Sequence, residues 1–280
     1  MITFHEIADR VYLATEPMLR VNVTLVVGDG QALVIDTLSI DDHARQLLEG
    51  VRTVTPYPLT LVNTHHHFDH SFGNAVLSAD GAPIWGHETA ARHLRERGPV
   101  LQRGWYEEAL PSDLAFADAL GRVTIVPPGH TFHTESTLDV GGRAVTLRHL
   151  GLGHTDGDLV AEIPDAAVVV AGDLIEEGAA PGFGDAYPIS WPDTLAGLLA
   201  LVGPSTRVVP GHGTVVDLGF VRAQHDELTA LSWLIREGHR DGADPAQVAA
   251  KASLTRFGER GLIEAQHAVT RGFLELDAAL

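Results

Sequence analysis

The sequence predicts an α/β fold in which two mixed β-sheets pack face to face and helices lie on the outside. Short runs of β-branched and other apolar residues, bounded by glycine and polar residues, are typical of strands. These runs occur in two groups, each followed by helical patterns, and no low-complexity linker separates the groups. Two sheets packed against each other beneath outer helices would bury the apolar faces of all these elements.

The first group of strands begins close to the N-terminus, and a hairpin turn at Gly28-Asp29-Gly30 joins its second and third strands. Ser39 is expected to cap the helix that follows, and Pro56 and Pro58 to end it. The elements predicted here are strands at 11–14, 21–27 and 32–35, a helix reaching residue 51, a strand at 59–62, a short helix at 71–77, a strand at 83–85 and a helix at 87–97.

The second group lies beyond residue 122 and ends in a helical C-terminal region. Its predicted elements are strands at 124–126, 136–138, 144–150, 159–163 and 168–171, a loop at 176–192, a helix at 194–202 and a strand at 207–209. We expect residues 1–280 to form a single domain, with the helical region starting at about residue 217.

The composition narrows the classes of function. The 280 residues are 45% hydrophobic and 20% charged, enough to bury a sizeable core, and the formal net charge is −18. That charge disfavours nucleic acid and anionic membrane surfaces as partners, which leaves a small-molecule substrate. The absence of cysteine excludes disulfides, thiolate metal sites and a cysteine nucleophile. No signal peptide or membrane-spanning run is recognised, so the expected location is cytoplasmic.

A dense cluster of metal-binding side chains follows the predicted strand at 59–62. Residues 65–70 contain four histidines and one aspartate, and imidazole and carboxylate groups are ligands of zinc and similar ions. In extended backbone, His65, His67 and Asp69 would face one way and His66 the other. A turn at Asp69 would then bring His70 to the same side.

Three later positions repeat this pattern, each with a donor residue in a glycine-containing turn after an apolar strand. The donors are His154, Asp173 and His212. Strand ends are favourable places for ligands because the sheet fixes the backbone while the loop opens toward a cleft. Neither a Gly-x-Ser-x-Gly elbow nor a phosphate-binding Gly-Lys-Ser/Thr loop occurs, so the usual signatures of serine hydrolases and P-loop proteins are missing.

In order and residue type, these positions resemble the five motifs of the metallo-β-lactamase superfamily. The resemblance extends from about residue 21 to about residue 213 and implies a four-layer αββα sandwich with a two-metal site. It also implies a supporting role for Asp36, outside the metal ligands. By the resemblance, His65, His67 and His154 would hold the first metal, Asp69, His70 and His212 the second, and Asp173 would bridge them. The implied ions are two divalent metals, with Zn²⁺ the leading choice and Mn²⁺ or Fe²⁺ the alternatives.

This set of ligands predicts metal-assisted hydrolysis. A bound cation lowers the pKa of water from about 15.7 to about 7, so a metal-bridging hydroxide can attack a carbonyl at neutral pH. Asp69 is the predicted catalytic residue, because its carboxylate can accept a hydrogen bond from that hydroxide and orient it.

The aspartate at 173 resembles the glyoxalase II, lactonase and thioesterase branches, so a small ester, lactone or thioester is the leading substrate. A β-lactam is the first alternative, and an iron-dependent persulfide dioxygenase or a biosynthetic cyclase of the same fold remains open. Phe183, Tyr187 and Trp191 would either line the cleft or pack the loop after Asp173.

Overall fold

A computed structural model describes residues 2–278, and over that range it contains twelve strands and nine α-helices. The first seven strands are β1 His5–Ala8, β2 Val11–Thr15, β3 Asn22–Val27, β4 Ala32–Ile35, β5 Leu59–Val62, β6 Ile84–His87 and β7 His130–Phe132. The remaining strands are β8 Glu135–Val140, β9 Arg143–Arg148, β10 Val160–Ile163, β11 Val168–Glu176 and β12 Arg207–His212. The helices are α1 Asp41–Val54, α2 Phe68–Ser71, α3 Asn74–Leu77, α4 Glu88–Ala109, α5 Leu114–Leu120, α6 Trp191–Leu199, α7 Leu218–Arg240, α8 Pro245–Ala249 and α9 Gly258–Ala278.

The strands form two sheets. The first contains β1 to β7 in chain order, antiparallel from β1 to β4 and parallel from β4 to β7. The second has the order β12-β11-β10-β9-β8, and β8 and β9 are antiparallel. Because β4 and β5 are parallel neighbours, their carboxyl ends lie at one edge of the first sheet. Asp36 follows β4 and the histidine cluster follows β5, so both emerge at that edge.

Several predicted elements differ from the structure. Helix α1 has Ile40 at its N-cap without a side-chain cap, and Ser39 Oγ instead lies 3.1 Å from His43 Nδ1. The predicted helix 71–77 is divided into α2 and α3, and α4 continues through Pro99 to residue 109. Residues 124–126 form no strand, and the backbone carbonyl of Val126 is bound by a side chain instead of a neighbouring strand. Val126 accepts a hydrogen bond from Asn74 Nδ2 at 2.8 Å.

The chain divides into two compact units, and each has its own core. The first unit comprises the described residues up to His149 together with Ala161–Val168. In it, Leu25, Val34 and Leu61 of the first sheet are fully buried, and they belong to the same cluster as Leu47 and Val51 of α1. Burying a side chain of this size stabilises the fold by about 1.5–3 kcal/mol.

The second unit comprises Leu150–Val160 and the described residues from Val169 onward. Its core joins β11 to α6, α7 and α9, with Val169, Trp191, Ile235 and Ala268 almost completely buried. Helix α9 therefore belongs to the core of this unit. Within residues 2–278, no helix combines the length and apolar character that crossing a membrane requires.

His87 caps helix α4. Its Nδ1 accepts a hydrogen bond from the Thr89 N–H (3.3 Å) and its Nε2 donates to the His133 carbonyl (2.9 Å), which requires the neutral ring. The ring also stacks on His149, with centroids 4.0 Å apart. Burial and, to a smaller extent, the neighbouring His149 lower the pKa of His87 to about 4, against the opposing effect of the His133 carbonyl.

We expect the stability of the protein to fall as the pH drops from about 6.5 to about 4 because of His87. The folded state keeps this ring neutral, whereas the unfolded chain binds a proton near the ordinary pKa of 6.5, so acid favours unfolding. Between pH 7.5 and pH 5 the expected loss is about 2 kcal/mol. Urea unfolding of wild type and His87→Asn measures it, since asparagine is also a good N-cap but does not titrate. His225→Asn serves as the control, and an identical pH dependence in wild type and His87→Asn would refute the prediction.

Candidate metal centre

The first group of predicted ligands lies in the first unit, in the segment between β5 and α3. The predicted alternation of side chains requires extended backbone after β5. This prediction is wrong, because the backbone after β5 is not extended. It bends at residues 64–67 and enters α2 at Phe68. The predicted turn at Asp69 is therefore the first turn of a helix, and this turn brings His70 back toward His65.

These side chains lie close together. The ring centroid of His65 is 4.6 Å from that of His67 and 4.3 Å from that of His70. Asp69 Oδ2 is 3.6 Å from His70 Nε2. The ligand atoms of His65 and His67 lie within 4.8 Å of each other, and the same limit holds for Asp69 and His70. The first unit thus presents four donor side chains as two neighbouring pairs.

Asp36 organises this group from the end of β4. Its two carboxylate oxygens accept hydrogen bonds from the Thr64 N–H (2.7 Å) and the Thr64 hydroxyl (2.8 Å), and Oδ2 is 2.8 Å from His70 Nδ1. Burial raises the pKa of the Asp36 carboxyl, although His70 and Thr64 oppose this effect. Asp36 also has a φ of 69°, a left-handed conformation that is uncommon for residues other than glycine. The contact with His70 agrees with the supporting role expected for Asp36.

A buried amide pair that the sequence did not reveal holds α2 and α3 in place. Asn63 and Asn74 exchange two side-chain hydrogen bonds, of 2.9 Å and 2.8 Å, and Asn63 Nδ2 also donates to the His70 carbonyl at 3.0 Å. The Thr37 hydroxyl donates to Asn74 Oδ1 at 2.9 Å. All of these groups are buried, so breaking the network would leave polar atoms unsatisfied at about 1–3 kcal/mol each.

His66 and Trp105 surround the ligands without belonging to the predicted set. The His66 ring stacks on His93 with centroids 4.6 Å apart, as expected for a histidine that stabilises the loop. Trp105 contacts His67 edge-on at 5.6 Å and Phe68 at 4.7 Å. Trp105 therefore packs beside the predicted ligand His67.

The second group of predicted ligands lies in the second unit and begins with His154. Asp158 fixes the turn around it by accepting hydrogen bonds from the Thr155 N–H (2.8 Å) and the Thr155 hydroxyl (2.6 Å). His154 Nδ1 lies 3.2 Å from the Gly182 carbonyl, and its Nε2 is 3.4 Å from Asp173 Oδ2. Sequence reasoning missed Asp158, although the Thr-x-x-Asp spacing is a signal for such a turn.

Asp173 and His212 come from neighbouring strands, β11 and β12. Contrary to expectation, Asp173 does not follow its strand but lies inside it, and His212 is the last residue of β12. His212 Nε2 is 3.5 Å from Asp173 Oδ2. Glu176, not predicted as a site residue, offers a carboxylate oxygen within 4.8 Å of the ligand atoms of both. The Asp173 carboxylate thus lies close to both predicted histidine ligands of the second unit.

Gly211 allows β12 to approach this carboxylate closely. A Cβ atom at this position would lie only 1.7 Å from Asp173 Oδ1 and 2.9 Å from the Asp173 backbone nitrogen. Every residue other than glycine would therefore collide with the carboxylate. In the sequence Pro210-Gly211-His212, the glycine therefore permits the close approach of β12 to Asp173, and the histidine is the predicted ligand.

The loop between β11 and α6 is packed by its aromatic residues. Phe183 and Trp191 have no exposed surface, their ring centroids are 5.3 Å apart, and Trp191 Nε1 donates to the Leu174 carbonyl at 3.3 Å. The packing alternative is confirmed for these two residues. Tyr187 is partly buried beneath the guanidinium of Arg271, 5.4 Å from its ring centroid, and burial raises the pKa of its hydroxyl.

The ligand atoms fit a divalent cation in their chemistry and orientation. Three of the histidines direct Nδ1 to an oxygen atom of the protein: His65 to the Thr64 hydroxyl (3.1 Å), His70 to Asp36 and His154 to Gly182. This arrangement selects the Nδ1–H tautomer and makes Nε2 the metal-binding atom, as is usual where metal-ligating histidines are oriented by a second hydrogen bond. Nitrogen and carboxylate oxygen donors without thiolate suit zinc, manganese and iron.

Comparison with known proteins gives consistent results. A family model described as the metallo-beta-lactamase superfamily matches residues 17–212, more than half of the chain. The chain is 27% identical over 202 residues to "Metallo-beta-lactamase type 2" of Bacillus cereus, covering 70% of this chain and 69% of the relative. It is 27% identical over 211 residues to "Acyl-coenzyme A thioesterase MBLAC2" of Homo sapiens, covering 69% of this chain and 73% of the relative. The solved "Metallo-beta-lactamase from Pontibacter korlensis" matches with a TM-score of 0.68 at 22% identity, over 82% of this chain and 99% of that one. The predicted fold class is confirmed.

Proposed function

Because the chain belongs to the metallo-beta-lactamase superfamily, we propose that it is a binuclear metallohydrolase acting on the carbonyl group of a small ester, lactone or thioester. Membership supports the broader statement that the protein is a metal-dependent hydrolase. The observation that carries the metal-binding part of the proposal is the orientation of His65, His70 and His154, whose Nδ1 atoms are held by protein oxygens so that Nε2 is left to bind a metal.

The proposed ligands are those expected from the family motifs. By the family motifs, Asp173 would be a ligand common to both metal ions. One ion would be held by His65, His67 and His154, and the other by Asp69, His70 and His212. Glu176 is a further carboxylate in the second group, because its oxygen lies near the ligand atoms of Asp173 and His212.

The reaction divides between the ions and the protein. Bound divalent ions would supply a water nucleophile at neutral pH and polarise the carbonyl of the substrate. Asp69 would orient the nucleophile, because its carboxylate can accept a hydrogen bond from it. Asp36 would keep His70 in its Nδ1–H tautomer through the 2.8 Å contact.

A thioester is the substrate we favour within this class. The support is the similarity to an acyl-coenzyme A thioesterase over about two thirds of the chain. The similarity to a β-lactamase is equally high, and this keeps β-lactam hydrolysis as the second candidate. Iron-dependent oxidation and a cyclase-like role are the alternatives that metal analysis and substrate assays separate from hydrolysis.

Protein purified without chelator is expected to contain about two zinc or manganese ions per chain and to hydrolyse thioesters or lactones. Elemental analysis and a panel of thioesters, lactones and β-lactams measure this directly. Removal of the metal with EDTA should abolish turnover, and added Zn²⁺ should restore it. A single iron per chain, or full activity after metal removal, would contradict the proposal.

A further inference from the structure

Glu264 of helix α9 is a buried carboxylate that the family motifs do not include. Only 3% of the residue is exposed, and its Oε2 accepts a hydrogen bond of 2.9 Å from the Phe183 N–H. Arg260 lies 2.9 Å from its other oxygen, and His267 lies 3.5 Å from Oε2. A buried carboxylate is costly unless it is hydrogen-bonded, so this side chain has a defined structural partner in the Phe183 peptide.

The peptide group between Gly182 and Phe183, which Glu264 binds, also contacts the predicted metal ligand His154. The nitrogen of Phe183 and the carbonyl of Gly182 belong to a single planar peptide group. That carbonyl lies 3.2 Å from His154 Nδ1 and so accepts the proton that sets the tautomer of the ring. Glu264 holds one end of this group and His154 binds the other.

Two further residues of α9 bind the same loop beyond this peptide. Arg271 Nε donates to the Ala186 carbonyl at 3.0 Å, and Glu275 accepts a hydrogen bond from the Ile189 N–H at 2.9 Å. Helix α9 therefore holds the loop at several points, although it lies outside residues 17–212 that match the family model. Of these contacts, only the one made by Glu264 reaches the peptide bound to His154.

We propose that Glu264 is a positioning residue for the metal site, acting on His154 through the Gly182–Phe183 peptide. The carboxylate fixes the peptide so that its carbonyl faces Nδ1, and this keeps Nε2 in the orientation of a metal ligand. The inference rests on the proposed function, because it takes His154 as a ligand. Outer groups that orient a ligating histidine typically change metal affinity by about 10–100-fold.

The test compares the affinity of the full-length protein for Zn²⁺, measured by competition with a chromogenic chelator, in wild type and in variants of Glu264. Glu264→Ala and Glu264→Met remove the acceptor, and we expect either variant to bind Zn²⁺ about 10–100-fold more weakly. Glu264→Gln keeps an oxygen that accepts the Phe183 N–H, and its affinity should stay within about threefold of wild type. Glu275→Ala is the matched control, since it loosens the loop away from His154 and should lower the thermal stability without lowering the affinity.

The outcomes separate this inference from the proposed function. Unchanged Zn²⁺ affinity in Glu264→Ala and Glu264→Met would overturn the positioning role, and so would an equal loss in Glu264→Gln. If Glu264→Ala does not fold, Glu264→Met, which retains the bulk of the side chain, decides the question. Failure of wild type to bind Zn²⁺ would instead overturn the metal site itself.

Discussion

Replacing Asp173 with alanine is expected to lower kcat/KM by at least about a thousandfold and to reduce the metal content of the purified protein. Asp173 Oδ2 lies 3.4 Å from His154 Nε2 and 3.5 Å from His212 Nε2, so one side chain contacts both predicted histidine ligands of the second unit. Losing a metal ion removes several kcal/mol of transition-state stabilisation, and each 1.4 kcal/mol is a factor of ten in rate. Elemental analysis and steady-state kinetics on the same preparation measure the two effects together.

Two further variants sharpen this experiment. His154→Ala should also abolish turnover, because it removes a ligand from the same part of the site. Asp226→Asn is the control, since this carboxylate is 82% exposed on helix α7. Unchanged metal content and rate in both Asp173→Ala and His154→Ala would refute the assignment of these residues as ligands.

A single methyl group at Gly211 is expected to disable the site while all seven predicted ligands remain. The new Cβ would lie 1.7 Å from Asp173 Oδ1 and 2.9 Å from the backbone nitrogen of Asp173, so both the carboxylate and the strand have to shift. Overpacking of this kind typically costs about 1–3 kcal/mol of stability. Because the displaced atom is a proposed metal ligand, we expect kcat/KM to fall by about a hundredfold or more, as a 1 Å misplacement in an active site can cost that much.

Gly184→Ala is the matched control for Gly211→Ala. Gly184 lies in the loop after β11, and an added Cβ would meet no atom within 4 Å. Its unfolding temperature and rate should therefore equal those of wild type. Wild-type activity in Gly211→Ala would show that activity does not depend on the position of the Asp173 carboxylate, and it would refute the prediction.

The sequence predicts ligands more readily than the groups that orient them. The spacing of His65, His67 and His70 is visible because the residues are adjacent in the chain and of a chemically distinctive type. The family resemblance implies a supporting role for Asp36 but does not name its partner; that partner is His70, 34 residues away, and the parallel pairing of β4 with β5 brings the two together. The pattern of residue types along the chain does not show which strands are neighbours in the sheet.

The same limit applies to the buried polar groups. Asn63 and Asn74 form a reciprocal amide pair, yet asparagine in a sequence most often indicates a turn. Glu264 is 81 residues from Phe183 and lies on a helix whose pattern predicts only an amphipathic surface. These contacts depend on tertiary packing, so local propensity does not reveal them.

The strand boundaries show a related effect. Apolar residues 168–171 predict a strand that ends before Gly172, but β11 continues through Asp173 to Glu176. The strand tolerates a charged residue there because His154 and His212 lie beside the carboxylate. Tertiary contacts of one charged side chain thus override the polarity rule on which strand prediction depends.

The left-handed backbone of Asp36 implies a conflict between folding and function at that position. A residue other than glycine in this region is strained by about 1–2 kcal/mol, and glycine or asparagine would adopt the same φ of 69° more easily. Neither can replace the carboxylate, whose two oxygens receive the Thr64 N–H, the Thr64 hydroxyl and His70 Nδ1. Backbone stability alone would therefore favour a different residue here, and the aspartate combines local strain with a fixed orientation of the His70 imidazole.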